Sequence, residues 1–179
     1  MIFGINIPEK KGTFRKLCKS IGQKNITEFS YRLDKTQEAK ILLGLEFTKG
    51  EKEKKSFIKS MKLKKYKITD LSDDEISKVH LRYMSGGRAP ELTNGETEEV
   101  FKVDFPERPG ALMQFLDLLK DKWNISLFHY KNQGAIYGGA LVGFSIKGSQ
   151  LNKLNKDLLN TEYPFTRVSE NAGYKAFLK

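Results

Sequence analysis

The side chains best suited to chemistry are few and far apart. One cysteine, Cys18, and two histidines, His80 and His129, supply too few ligands at too great a separation for a Cys/His metal cluster. No Gly-x-Ser-x-Gly elbow, Walker-type loop or His-Glu-x-x-His helix occurs, and no cysteine or histidine stands near a second base. Asp73-Asp74-Glu75 is an acidic run better explained by helix capping, and Cys18 reads as a buried helical residue beside Leu17 and Ile21. The chain therefore reads as a binder, with no catalytic residue and no metal.

What recurs is a turn. Ile7-Pro8-Glu9-Lys10-Lys11-Gly12-Thr13-Phe14 returns 98 residues later as Phe105-Pro106-Glu107-Arg108-Pro109-Gly110-Ala111-Leu112. A strand that ends in Pro-Glu-x-x-Gly and leads into a helix points that helix's free N–H groups and positive dipole end at the loop, where a carboxylate or phosphate can sit. Phe14 and Leu112 follow with apolar surface, and the next strand brings Tyr31 or Tyr130 nearby. A small molecule with one anionic and one greasy end, such as an amino acid, suits that surrounding. Glycine at 12 and 110 either admits the ligand closely or only makes a tight turn.

The elements that position these turns repeat as well. Asn25-Ile26-Thr27-Glu28-Phe29-Ser30-Tyr31-Arg32 matches Asn124 to Lys131 at a spacing of 99. Leu42-Leu43-Gly44 matches Leu141-Val142-Gly143, and Tyr66, Thr69 and Ser72 match Tyr163, Thr166 and Ser169 at 97. Each copy, roughly 3–72 and 101–169, reads strand, helix, strand, strand, helix, strand. The first strands run Phe3 to Ile7 and Val100 to Phe105, and proline ends each. The first helices carry apolar stripes at i, i+3, i+4, i+7: Phe14, Leu17, Cys18, Ile21 and Leu112, Phe115, Leu116, Leu119. Residues 34–37 and 132–134 carry hairpin chemistry. The second helices span about 51–64, burying Phe57, Ile58 and Met61 with the lysines in water, and about 150–160, burying Leu151, Leu154 and Leu158. This is an α+β chain of tandem ferredoxin-like βαββαβ units, with antiparallel sheets and helices on one face. Between the first unit (1–72) and the second (101–179) lies a connection, 73–100. Its start has a Ser72/Glu75 capping signature and a helix through Ile76, Val79, His80 and Tyr83, and residues 88–99 read as an exposed loop.

Composition narrows the setting. With 39% hydrophobic and 30% charged residues the chain can pack a core. No apolar run approaches the ~18 residues of a membrane helix, and Met1 to Pro8 lacks the basic lead-in of a secretory leader. One cysteine fits a reducing cytoplasm. Residues 1–70 hold 18 Lys+Arg against 8 Asp+Glu, whereas 71–179 hold 14 of each, so the whole +10 excess lies in the first part. That asymmetry keeps a basic RNA-binding module open as an alternative. Against it, the strands lack an RNP1-like pattern and the lysines gather on a helix.

These runs, together with Asp70-Leu71-Ser72-Asp73-Asp74-Glu75, His80 to Arg88 and Trp123 to Lys131, closely resemble the C-terminal regulatory region of biosynthetic threonine ammonia-lyase (threonine deaminase). The resemblance spans essentially all 179 residues. It implies two ACT-like subdomains that sense isoleucine as inhibitor and valine as its antagonist. The effector residues it implies are Gly12, Thr13, Phe14 and Tyr31 in one unit and Gly110, Ala111, Leu112 and Tyr130 in the other. Lys24, Asn25, Asn124 and Lys131 stand in support, with Lys131 where many relatives have arginine. It further implies a catalytic domain holding pyridoxal phosphate, absent from these residues, and a homo-oligomer assembled through ACT-like units. The chain is then a fragment of that enzyme or a free-standing sensor.

Overall fold

A computed structural model describes residues 1–33, 38–74, 92, 95–132, 137–161 and 163–177. The first copy runs β1 (Ile2–Pro8), α1 (Thr13–Ile21), β2 (Asn25–Arg32), β3 (Glu38–Glu46), α2 (Gly50–Leu63) and β4 (Lys67–Asp70). The second runs β5 (Glu96–Pro106), α3 (Ala111–Leu119), β6 (Asn124–Lys131), β7 (Tyr137–Lys147), a 3-10 turn (Gly148–Gln150), α4 (Leu151–Leu159) and β8 (Phe165–Arg167). A last helix, α5 (Ala172–Phe177), follows. The hairpin tips at 34–37 and 133–136 and the connecting helix expected through 76–83, His80 included, lie outside the described residues.

All eight strands join one antiparallel sheet in the order β4-β1-β3-β2-β6-β7-β5-β8. The copies meet at β2 and β6, where Ser30 stands opposite His129, its own counterpart in the repeat, flanked by Tyr31 opposite Phe128 and Phe29 opposite Tyr130. A pseudo-twofold axis therefore passes between Ser30 and His129. Strand residues of one parity, including Phe3, Phe29, Phe101, Phe128 and Phe144, are sealed beneath the apolar stripes of α1 to α4 in a single hydrophobic cluster. The side chains a base-stacking sheet would expose are thus spent on the core. Tyr174 of α5 packs instead with Val100 and Leu127, residues of the opposite parity, and so lies on the other sheet face.

Repeated residues do repeated work. Ser72 and Ser169, 97 apart, accept hydrogen bonds from the backbone N–H groups of Ile2 (3.2 Å) and Val100 (2.9 Å), tying the ends of β4 and β8 to the first strand of each copy. The register slips by one residue between Ile26 and Glu28 and again between Ile125 and Leu127. Gly44 and Gly143 face these bulges, and a Cβ there would sit 2.6 Å from Thr27 Oγ1 and 2.8 Å from Leu127 Cβ, respectively.

Two expectations need correcting. Residues 96–99, read as exposed loop, begin β5 and pair with 144–147 of β7. Their charges are absorbed there: Glu98 meets Arg32, and Glu99 meets Arg167 at 2.7 Å. The lysines of α2 are not all in water, since Lys54 is buried with Nζ 2.8 Å from Glu51 and 3.1 Å from Asp70.

Candidate functional site

Gly12 and Gly110 cap the starts of α1 and α3 at φ +86° and +84°. In that region an L-residue is strained by roughly 1–2 kcal/mol, so the turn itself calls for glycine. Space does not, because a Cβ at Gly110 would meet only Gln23 Cγ at 3.5 Å and one at Gly12 only Asp121 Oδ1 at 3.7 Å. The turns are otherwise held by the chain. Thr13 Oγ1 hydrogen-bonds the Pro8 and Lys10 carbonyls, both at 2.7 Å, and so serves its loop. Tyr163 donates to the Ala111 carbonyl at 3.0 Å and anchors the start of α3.

Each turn opens on a crevice, and each crevice is shared by the two copies. The Gly110 crevice spans about 530 Å³ counted together with the open solvent at its mouth. Phe105, Ala111, Leu112, Met113, Phe128 and Tyr130 come from the second copy, and Cys18, Gly22, Lys24, Asn25 and Ile26 from the first. The Gly12 crevice, about 430 Å³, sets Gly12, Thr13, Phe14, Arg15 and Tyr31 against Leu116, Leu119, Asp121, Trp123, Asn124 and Ile125. The expected effector residues thus gather in two groups. Their supports are crossed, however: Lys24 and Asn25 serve the second copy's turn, and Asn124 the first copy's. Lys131 lines neither crevice and sits opposite Glu28 in the strand register.

The Gly110 crevice is greasy with charge at its margin. Neither the Leu112 nor the Met113 N–H has a backbone acceptor among the described residues, and no side chain caps α3. These donors and the helix dipole favour an anion. Lys24 holds its Nζ 2.7 Å from Glu53 and over the Phe47 ring, 5.2 Å from its centre. Arg108 donates to Gln114. Burial, aided by the Glu107 carboxylate, pushes the Tyr130 hydroxyl up to about 12. Burial likewise raises Cys18, a neutral, inert part of the wall.

The Gly12 crevice is filled differently. Phe14 is only 5% exposed and packs its ring 5.0 to 5.5 Å from those of Tyr31, Phe29 and Phe128. Tyr31 is buried, donates to Glu9 Oε1 at 3.2 Å, and is pushed well above the ordinary tyrosine range by burial and then by Glu9. Trp123 donates from Nε1 to Asp157 at 3.0 Å. Sequence reading missed the lining residues Cys18, Ile26, Met113, Arg15, Asp121 and Trp123. The repeat aligned each with its counterpart, but nothing local showed that the walls are exchanged.

Two βαββαβ copies joined through their second strands, with helices over one face, define a tandem ACT-like regulatory fold. The model of the C-terminal regulatory domain of threonine dehydratase matches residues 1–81 and 91–178, and the chain belongs to that family. The chain is 40% identical to the L-threonine dehydratase biosynthetic IlvA of Burkholderia multivorans over 99% of its length and 34% of that protein. It is 38% identical to the Pasteurella multocida protein of that name over 99% of its length and 34% of that protein. For the Escherichia coli protein the figures are 39%, 87% and 31%. The chain thus spans about a third of the length of these relatives and corresponds to their C-terminal part. Among the described residues no helix is long and apolar enough to cross a membrane.

Proposed function

We propose that this chain senses free isoleucine and valine on behalf of a threonine dehydratase catalytic domain, isoleucine inhibiting and valine opposing it. The observation that carries this reading is the Gly110 crevice: an apolar hollow closed by both copies, with the unpartnered N–H groups of a helix start at its end. An amino acid's carboxylate fits those donors, and a branched aliphatic side chain fits the Ala111, Leu112, Ile26 and Phe128 surface. A ligand there touches both copies, so it favours one mutual setting of the two over another. That differential affinity is what regulation requires. Couplings of roughly 1–3 kcal/mol alter a remote affinity about 5- to 150-fold. Isoleucine and valine differ by one methylene, worth about 1–3 kcal/mol in an apolar pocket.

Residues 1–72 and 101–179 act in this reading as the two ACT-like subdomains, and assembly into a homo-oligomer belongs to it too. Pyridoxal phosphate would belong to the catalytic part of the enzyme. The crevice does not suit it, because its lysine, Lys24, is already tied to Glu53. Calorimetric titration of isoleucine and valine into the chain tests the proposal. Saturable binding of both, with leucine or threonine weaker, is expected. Absence of heat with either sinks it.

A further inference from the structure

The two crevices come from one repeated motif, yet their mouths differ. Arg15 reaches from the first turn of α1 across to α3, placing Nη2 2.6 Å from Asp117 and Nη1 2.9 Å from Asp121. Beside it Lys11 Nζ donates to the Lys122 carbonyl at 3.0 Å. Three contacts therefore fasten the first copy's turn to α3 and the residues just after it, beside the Gly12 crevice, which Arg15 and Asp121 line. Behind them Phe14 is packed among three aromatic rings, and Trp123 stands where the other crevice has Lys24. At the corresponding places around the Gly110 crevice the repeat puts Met113 for Arg15, Lys19 for Asp117 and Gln23 for Asp121, Gln23 lying beside Gly110 as Asp121 lies beside Gly12. None of these can form such a clasp.

We propose that the chain has one working effector site, the Gly110 crevice, and that the Gly12 crevice is held shut by the Phe14 ring within it and the Arg15 clasp on Asp117 and Asp121 beside it. The inference rests on the amino-acid-sensor reading above and specifies where and in what number the effector binds. The ligand class is an α-amino acid with a branched aliphatic side chain, seated at the start of α3. Phe14 carries a ring into its crevice where the repeat puts the shorter Leu112 in the other. The clasp is made of partly exposed ion pairs, the kind that salt and substitution loosen.

The test is calorimetric titration of isoleucine into the wild-type chain and the variants Phe14→Leu/Arg15→Met, Leu112→Phe and all three changes combined, with light scattering and melting curves alongside. One isoleucine per wild-type chain is expected. Leu112→Phe should weaken it at least tenfold, and Phe14→Leu/Arg15→Met should reveal a second binding event that survives in the combined variant. If Phe14→Leu/Arg15→Met fails to fold, Phe14→Leu with Asp117→Asn/Asp121→Asn opens the same crevice from the other side. Two equivalent isoleucines per wild-type chain, a single event indifferent to Leu112→Phe, or a folded unclasped variant that still binds only one would each overturn the inference while leaving the sensor reading intact. Failure of every version to bind isoleucine or valine overturns the sensor reading itself, and this inference with it.

Discussion

Arg32 on β2 and Glu98 on β5 meet as a two-point ion pair, Nη1 to Oε1 and Nη2 to Oε2 both at 2.9 Å, although β6 and β7 lie between their strands. Their side chains are 6% and 4% exposed. Tyr174 of α5 donates to the same carboxylate at 2.6 Å, and Ser126 at 2.5 Å. One buried group thus joins the first copy, the second copy and the C-terminal helix on the sheet face away from α1 to α4.

Neutralising one member should therefore be costly. Glu98→Gln leaves the Arg32 charge buried with a weakened partner, a class of change that destabilises by about 3–5 kcal/mol. Urea unfolding should show that loss, and Arg32→Met/Glu98→Leu, which removes both charges, should lose less than the single variant. Equal losses would mean the carboxylate matters for its other bonds alone.

Gly143 makes room for this arrangement. A Cβ there would sit 2.8 Å from Leu127 Cβ, 3.0 Å from Ser126 Oγ and 3.1 Å from Glu98 Oε1. Gly143→Ala is expected to cost about 1–3 kcal/mol by crowding the bulge and displacing Glu98. Adding Glu98→Gln to it should cost less than the two changes summed, since they disturb one cluster.

The turn at Gly110 separates two reasons for a glycine. If its φ of +84° is the reason, Gly110→Ala should lose roughly 1–2 kcal/mol of stability and Gly110→Asn should lose less, because asparagine tolerates the left-handed region. A thermal melt of the two variants gives the order. Alanine and asparagine equal in stability but both deficient in isoleucine binding would instead point to close approach of the ligand.

Acid sensitivity has a defined source at the sheet's edge. Burial pushes the Glu99 carboxyl up, but hydrogen bonds from Arg167 and Ser169 outweigh it, leaving the group below its ordinary value of 4.5. The unfolded chain then binds the proton more readily. The stabilisation is present in full above about pH 4.5 and is lost as pH falls through the lower folded value. Stability measured between neutral pH and pH 3 should fall less steeply in Glu99→Gln than in wild type. Parallel curves would show that other carboxylates govern the acid limb.

Much of the architecture was legible because it is written twice. Proline as the last residue of each first strand, the stripes of α1 and α3, and the matched Ser72 and Ser169 survived as repeated patterns whose physical causes are local. The start of β5 was not legible, since Glu96-Thr97-Glu98-Glu99 reads as a solvated loop until Arg32 and Arg167 are brought to it from distant segments. The burial of Lys54 is hidden for the same reason, its partner Asp70 lying across the α2–β4 turn. Half of each crevice wall was out of reach as well. The turns announce themselves through glycine and spacing, but the exchange of Lys24 and Asn124 between copies depends on Ser30 meeting His129, a pairing no local pattern encodes.

That pairing also suggests how such a molecule can originate. A single βαββαβ chain meeting an identical mate along its second strand would build the same eight-stranded sheet about a true dyad, with twin hollows that any mutation must alter together. Fusing the mates end to end breaks that bond of sameness. Arginine can then arise beside one hollow and methionine beside the other, and a homodimer's paired receptors become free to specialise within one polypeptide.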